Sequence, residues 1–152
     1  MIRIVCIGKI KDKHLMALID DYSDKIRHYH KLEVIEVKDE AISNNSKYIL
    51  DTEAKRALEK IGHDEYVILM DLHGKSIDSE SLANKIDKLF ISYPKITFVI
   101  GGSLGLGEEL IQRANERIKL SDLTFLHQMT RLILLEQIYR SFKILNHETY
   151  HK

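Results

Sequence analysis

Five residues near the C-terminus, His147-Glu148-Thr149-Tyr150-His151, spell H-E-x-x-H. On a helix that spacing sets two imidazoles one turn apart to hold Zn²⁺ and leaves the glutamate beside a metal-bound water. The chemistry needs a helix that continues past the second histidine, and a third ligand. His151 is the penultimate residue, and no His or Glu follows it. A zinc hydrolase built on His147, Glu148 and His151 is therefore the distant reading, and no metal is expected.

Glycines offer a second chemistry. Gly101, Gly102, Gly105 and Gly107 follow the apolar run ITFVI. Glycine at a strand's C-terminal end lets backbone N–H and C=O groups approach a ligand, where α/β folds build their sites. The spacing is not that of a phosphate loop. Gly102, Gly105 and Gly107 run three and then two apart, the reverse of G-x-G-x-x-G, and no G-K-[ST] follows. The bland alternative is a loop that only turns the chain into the next helix. Two further segments, MDLHGK (Met70 to Lys75) and SDLTFLHQ (Ser121 to Gln128), offer walls on the same side. Three such loops could enclose a flat heterocycle, with Met70, Leu72, Leu123 and Phe125 on its faces and backbone groups at its edges.

The third set lies in HQMTRLILLEQIYRSFKIL, His127 to Leu145. His127 and Arg131 are one helical turn apart, and Arg131 shares a side with Leu135, Ile138 and Phe142. A guanidinium among apolar neighbours must meet an anion, a carbonyl or a partner chain. It either recognises a substrate or interface, or pairs internally with an acid such as Asp122 or Glu136. Glu136 and Arg140 lie on the opposite face, where an ion pair across one turn suffices to explain them.

Positioning these residues requires alternating strands and helices. Ile2 to Gly8, Leu32 to Val37, Tyr66 to Leu72 and Ile96 to Gly102 read as strands, the second at a sheet edge because Glu33 and Glu36 interrupt it. Helical spacing links Leu15 to Tyr29, Leu50 to Ile61, Leu82 to Phe90, and Leu110 through Ile111 and Ala114 to Ile118. A short strand or loop is expected around Leu120. The order predicts a three-layer α/β domain with a mostly parallel sheet, a single domain over residues 1–152. The last helix is apolar around most of its circumference, which a partner subunit or a central position in a monomer would explain.

Composition narrows the classes. Lys plus Arg and Asp plus Glu both total 23 in 152 residues, so any RNA site must be a local patch. The single cysteine, Cys6, sits in the apolar run IVCIG and reads as a buried small hydrophobe of a reducing cytosol. The N-terminal apolar run is too short for a signal peptide, and no stretch approaches the ~20 apolar residues of a membrane span. A cytoplasmic protein without membrane contact is expected.

FVIGGSLGL, LTFLHQMTRLILLEQIYRSFKI and the terminal YHK, supported by IVCIGKIKDK and MDLHGK, together resemble the RlmH (YbeA) group of SPOUT methyltransferases. The resemblance covers the whole chain, with one departure: Leu126 stands where the group usually has proline. It implies S-adenosyl-L-methionine-dependent methylation of N3 of a pseudouridine in 23S rRNA, on the assembled ribosome or 50S subunit. It also implies a C-terminal deep trefoil knot and a homodimer joined through it. The cofactor would be held by Met70, Gly102, Ser121, Asp122, Leu123, Thr124, Phe125 and Leu126.

By the same resemblance the tail belongs to the active site, with Tyr150, His151 and Lys152 binding or orienting the target nucleotide and Arg131 assisting. His151, Arg140 and His127 become the catalytic candidates: a histidine to take the N3 proton unless water does, and an arginine to stabilise charge on the base carbonyls. A catalytically silent RNA- or nucleotide-binding module on the same scaffold is the alternative.

Overall fold

In the computed structural model, which describes residues 1–152, the apolar runs form one five-stranded sheet. In chain order the elements are β1 (Ile2–Ile7), α1 (Lys13–Arg27), β2 (Leu32–Val37), α2 (Ser46–Leu58), β3 (Tyr66–Ser76), α3 (Ser79–Ser92), β4 (Ile96–Ile100), α4 (Glu108–Arg113), β5 (Glu116–Lys119) and α5 (His127–Leu145). The strands lie in the order β2-β1-β4-β3-β5, and each neighbouring pair is parallel. β2 is at an edge, as its interrupting glutamates require, while β1 and β4 are buried along their whole length.

Side-chain alternation sorts the core into two layers. Ile2, Ile4, Cys6, Ile68, Ile96, Phe98 and Ile100 face a cluster with residues of α1, α3 and α5. Val5, Ile7, Val67, Leu69 and Val99 face Ala54 and Ala57 of α2 and Leu110 of α4. The three-layer arrangement follows. Burial pushes the Cys6 thiol up to about 12, so it is inert. At the opposite end of the sheet from the loops discussed below, Arg3 bridges Glu65 (2.6 Å) and Glu33 (2.8 Å). Burial alone would raise the Glu65 pKa, but donors from Thr97, Gly62 and Arg3 outweigh it and hold the carboxyl below its usual range.

Three expectations change. α4 ends at Arg113 and does not reach Ile118, because Ala114 turns extended and Asn115 docks on β3. Asn115 N–H donates to Val67 O at 2.9 Å, and its Oδ1 accepts from Val67 N at 2.8 Å. Residues 116–119 then add a fifth strand. Second, β3 continues past Leu72 to Ser76, with a register shift that sets both Met70 and Lys75 opposite Ile118 and throws Asp71 to Gly74 outward. Third, of the two explanations for the apolar circumference of α5, a central position accounts for much of it, since α5 packs between α1 and α3. Apolar surface remains at its N-terminal end, where Leu123, Leu126 and Met129 are exposed.

Candidate active site

A cleft of about 700 Å³ opens where β3, β4 and β5 end. Its walls are the Met70–His73 excursion, the Ile100–Leu106 glycine loop and the Ser121–His127 segment that carries the chain from β5 into α5. Isolated glycine backbone shapes the second wall: Gly102 and Gly105 form an antiparallel bridge, with Gly105 at φ 95°. A Cβ on Gly101 would land on the Gly105 carbonyl, and one on Gly102 would come within 3.1 Å of Glu53 Oε1. Bare backbone is therefore required at Gly101, whereas at Gly102 a methyl would press on side chains.

The sequence anticipated most of this lining. Met70, Gly102, Ser121, Leu123, Thr124, Phe125 and Leu126 all border the cleft, and His127 does too. Asp122 does not: its side chain is exposed and paired with Lys119. Unanticipated polar lining comes from Asp71, His73 and Arg117, the last paired with Asp71 at 3.2 Å. Behind Gly102 sits Glu53, buried, with Oε2 accepting from Glu40 N at 3.0 Å and Oε1 without a partner.

Arg131 lies inside the protein, 4% exposed. Its acid is Glu36, not Asp122 or Glu136: Nη1 donates to Glu36 Oε2 at 2.7 Å, and Nη2 donates to Gly8 O at 3.1 Å. No spacing rule connects those positions, which explains why the sequence did not supply the partner.

The tail forms a separate group near the other end of α5. Arg140 Nη2 donates to Glu136 Oε1 at 2.6 Å, and Tyr150 Oη donates to the same oxygen at 3.0 Å. Arg140 Nη1 is 3.3 Å from His151 Nδ1, and its guanidinium covers the Tyr150 ring at 4.7 Å. Burial and the Glu136 carboxylate push the Tyr150 hydroxyl upward, so it remains a protonated donor. His151 borders a smaller cavity of about 400 Å³ that shares Leu120 with the large cleft. Lys152 is exposed. Tyr150 and His151 thus cluster around Arg140, with Lys152 next in the chain, whereas His127 stands thirteen residues earlier, about 20 Å along the helix.

The zinc geometry does not form. α5 ends at Leu145, His147 has φ 55°, and Glu148 pairs with Lys143 at 2.8 Å and accepts from Tyr29 Oη at 2.8 Å. No group of three His, Cys, Asp or Glu side chains is arranged to hold a metal.

A large cleft at the C-terminal ends of parallel strands, with apolar walls, bare glycine backbone and no phosphate loop, suits a nucleoside-containing ligand without phosphates. A family model described as "Predicted SPOUT methyltransferase" matches residues 1–151. The chain belongs to that family, which makes it a methyltransferase with S-adenosylmethionine as methyl donor.

Among its relatives are proteins named "Ribosomal RNA large subunit methyltransferase H" from Acetivibrio thermocellus (45% identical) and Clostridioides difficile (46% identical), each match covering 99% of both chains. Solved structures share the fold. A tRNA (m1G37) methyltransferase from Aquifex aeolicus aligns with TM-score 0.56 at 14% identity, over 91% of this chain and 69% of that one. A probable methylase family protein from Haemophilus influenzae aligns with TM-score 0.52 at 18% identity, over 96% of this chain; this chain spans 66% of its length.

Proposed function

We propose that this protein methylates N3 of a pseudouridine in 23S rRNA, acting on the assembled ribosome or large subunit. The observation that carries the reading is the cleft itself, walled by the three loops that the RlmH resemblance assigns to S-adenosylmethionine. Full-length similarity to large-subunit rRNA methyltransferases supports the substrate class.

S-adenosylmethionine, when bound, supplies an electrophilic methyl group on a sulfonium. The chain's own residues must then fix the acceptor base in line with that methyl, since alignment at near-attack distance is the main catalytic contribution available to such a displacement. Leu72, Phe125 and the glycine loop give the cleft apolar and bare-backbone walls, and Leu126 and Thr130 bound it at the start of α5. His127 at the cleft wall and His151 in the tail are the side chains suited to accept the N3 proton; solvent is the other acceptor. Arg140, held by Glu136, is suited to stabilise negative charge on the base carbonyls. Tyr150, His151 and Lys152 would orient the nucleotide. Arg131 supports the reading indirectly, by fixing the start of α5 against β1 and β2.

The separation of the tail cluster from the cleft supports a homodimer in which one copy's tail completes the other's cleft. The exposed Leu123, Leu126 and Met129 offer apolar surface for that contact. The path from β5 over the strand ends to α5, packed between α1 and α3, supports the trefoil knot.

Transfer of labelled methyl from S-adenosylmethionine to ribosomes from cells lacking the modification, with the nucleotide then located, tests the reading. Label on N3 of a pseudouridine in 23S rRNA is expected. Cofactor binding with no transfer to any ribosomal substrate would favour a silent binding module.

A further inference from the structure

We propose that the loop between β1 and α1, with Lys9 and Lys11, together with Lys13 at the first position of α1, docks the phosphate backbone of the RNA substrate at the rim of the cleft. The inference rests on the functional reading above and adds where the RNA backbone lies.

The first argument is charge. On a chain of zero net charge several lysines have an acid in reach, with Lys25 paired to Asp21, Lys47 to Asp51, Lys85 to Glu116, Lys119 to Asp122 and Lys143 to Glu148, and the unpaired ones elsewhere are scattered along the chain. Lys9, Lys11 and Lys13 are exposed and form no ion pair. The one acid among them, Asp12, caps α1 by accepting from His14 N at 2.8 Å and Leu15 N at 2.9 Å. The loop also receives an unpaired, exposed Lys38 as neighbour, because Val37 is the parallel partner of Ile7. Three unpaired cations within five residues concentrate positive potential that a polyanion can use.

The second argument is order. A phosphate site gains from donors whose backbone is already fixed. Gly8 N donates to Val37 O at 2.8 Å, and Gly8 O accepts from Arg131. Ile10 is buried, and its N–H donates to Glu36 Oε2 at 3.2 Å. Lys9 and Lys11 therefore project from either side of an anchored residue, so the loop is held while its cationic heads stay in water.

The third argument is position. A Cβ placed on Gly8 would lie 3.8 Å from His127 Nε2, and His127 borders the cleft. The lysines begin at the next residue. RNA contacting them would have its backbone beside the start of α5, where a neighbouring nucleotide can enter the cleft. Phosphate contacts of this kind position a substrate without reading its sequence.

The test compares Lys9→Gln/Lys11→Gln/Lys13→Gln with a control of equal charge loss, Lys31→Gln/Lys55→Gln/Lys88→Gln, and with the corresponding triple arginine variant of the loop. Affinity for unmodified large subunits and for unmodified 23S rRNA is measured across a salt series. The loop glutamine variant is expected to bind about tenfold more weakly, with the slope of log affinity against log salt reduced by about two to three. S-adenosylmethionine affinity should stay unchanged, which shows that the fold is intact. The control and arginine variants should bind as the native chain does.

Unchanged affinity and salt slope in the loop glutamine variant would overturn the proposal. If the native chain methylates no ribosomal substrate but binds 23S rRNA in a lysine-dependent way, the pseudouridine reading fails and the docking surface stands. If the native chain binds neither RNA nor subunits, both fail.

Discussion

Arg131 and Glu36, 95 positions apart, are joined by a 2.7 Å ion pair that ties α5 to β2. The same guanidinium holds Gly8 O, so one side chain fixes the start of the last helix and the end of the first strand. Removing one partner leaves the other charge without compensation in a largely buried setting. Arg131→Met should destabilise the protein by about 2–4 kcal/mol in urea unfolding, the lower end reflecting the partial exposure of Glu36. The double change Arg131→Met/Glu36→Met should recover part of that loss, because no orphan charge remains.

Glycine substitutions separate two kinds of crowding. Gly101→Ala puts a methyl on backbone, the Gly105 carbonyl, and should break the Gly102–Gly105 bridge. Gly102→Ala meets the Glu53 carboxylate at 3.1 Å and Ile7 Cγ2 at 3.2 Å, where side chains can yield by a few tenths of an ångström. Titration calorimetry with S-adenosylmethionine should therefore find a larger affinity loss for Gly101→Ala. Unchanged affinity in both variants would mean that the loop does not wall the cofactor.

Arg140 and Tyr150 share Glu136 Oε1, and their contributions can be split. Arg140→Ala removes the cation nearest His151 and should lower kcat by about 100-fold or more if the guanidinium meets developing charge, with cofactor affinity kept. Tyr150→Phe keeps the ring under Arg140 and removes one hydrogen bond, worth about 1 kcal/mol. Its kcat should fall far less. Single-turnover methylation of unmodified ribosomes measures both, and full activity in Arg140→Ala would remove that residue from the mechanism.

Sheet and helices were readable because strands β1 and β4 are unbroken apolar runs and α5 carries a long helical pattern. The Glu33 and Glu36 interruptions in β2 marked an edge strand by the same logic. β5 was placed only as a short strand or loop around Leu120, and its residues were given to the preceding helix, because ERIK is four residues long and mostly charged and its stability comes from pairing with β3. Of the eight residues that the whole-chain resemblance assigns to the cofactor, seven border the cleft; periodicity supplied only the idea of three loops. The Arg131–Glu36 pair and the Glu53 carboxyl behind Gly102 had no sequence signal, since both join distant segments through tertiary packing.

Glu53 gives a pH prediction. Burial pushes its carboxyl above the ordinary glutamate value of about 4.3, despite the hydrogen bond from Glu40 N. A raised folded-state pKa means that the native state binds the proton more tightly than the unfolded chain does. The associated stability is full below the ordinary value and is lost as pH rises through the folded one. Glu53→Gln cannot ionise and should lose less stability than the native chain as pH rises from the ordinary glutamate value of about 4.3 to neutrality. Urea midpoints across that range measure the difference, and parallel loss in both proteins would show that Glu53 does not titrate in it.

Leu126 marks the departure from the usual proline, yet its backbone keeps a proline-like shape. φ is −56° and ψ is 138°, inside the range a pyrrolidine ring enforces. Its carbonyl accepts from Thr130 N at 2.9 Å and Thr130 Oγ1 at 3.2 Å, bonds that proline also makes. The side chain is exposed, so little packing is lost. Leu126→Pro should stabilise the protein by about 0.4–1 kcal/mol by restricting the unfolded chain. It should also hold the start of α5 at least as firmly, leaving S-adenosylmethionine affinity equal or tighter. A drop in both melting temperature and cofactor affinity would show that the Leu126 side chain, exposed in one protomer, is packed in the working assembly.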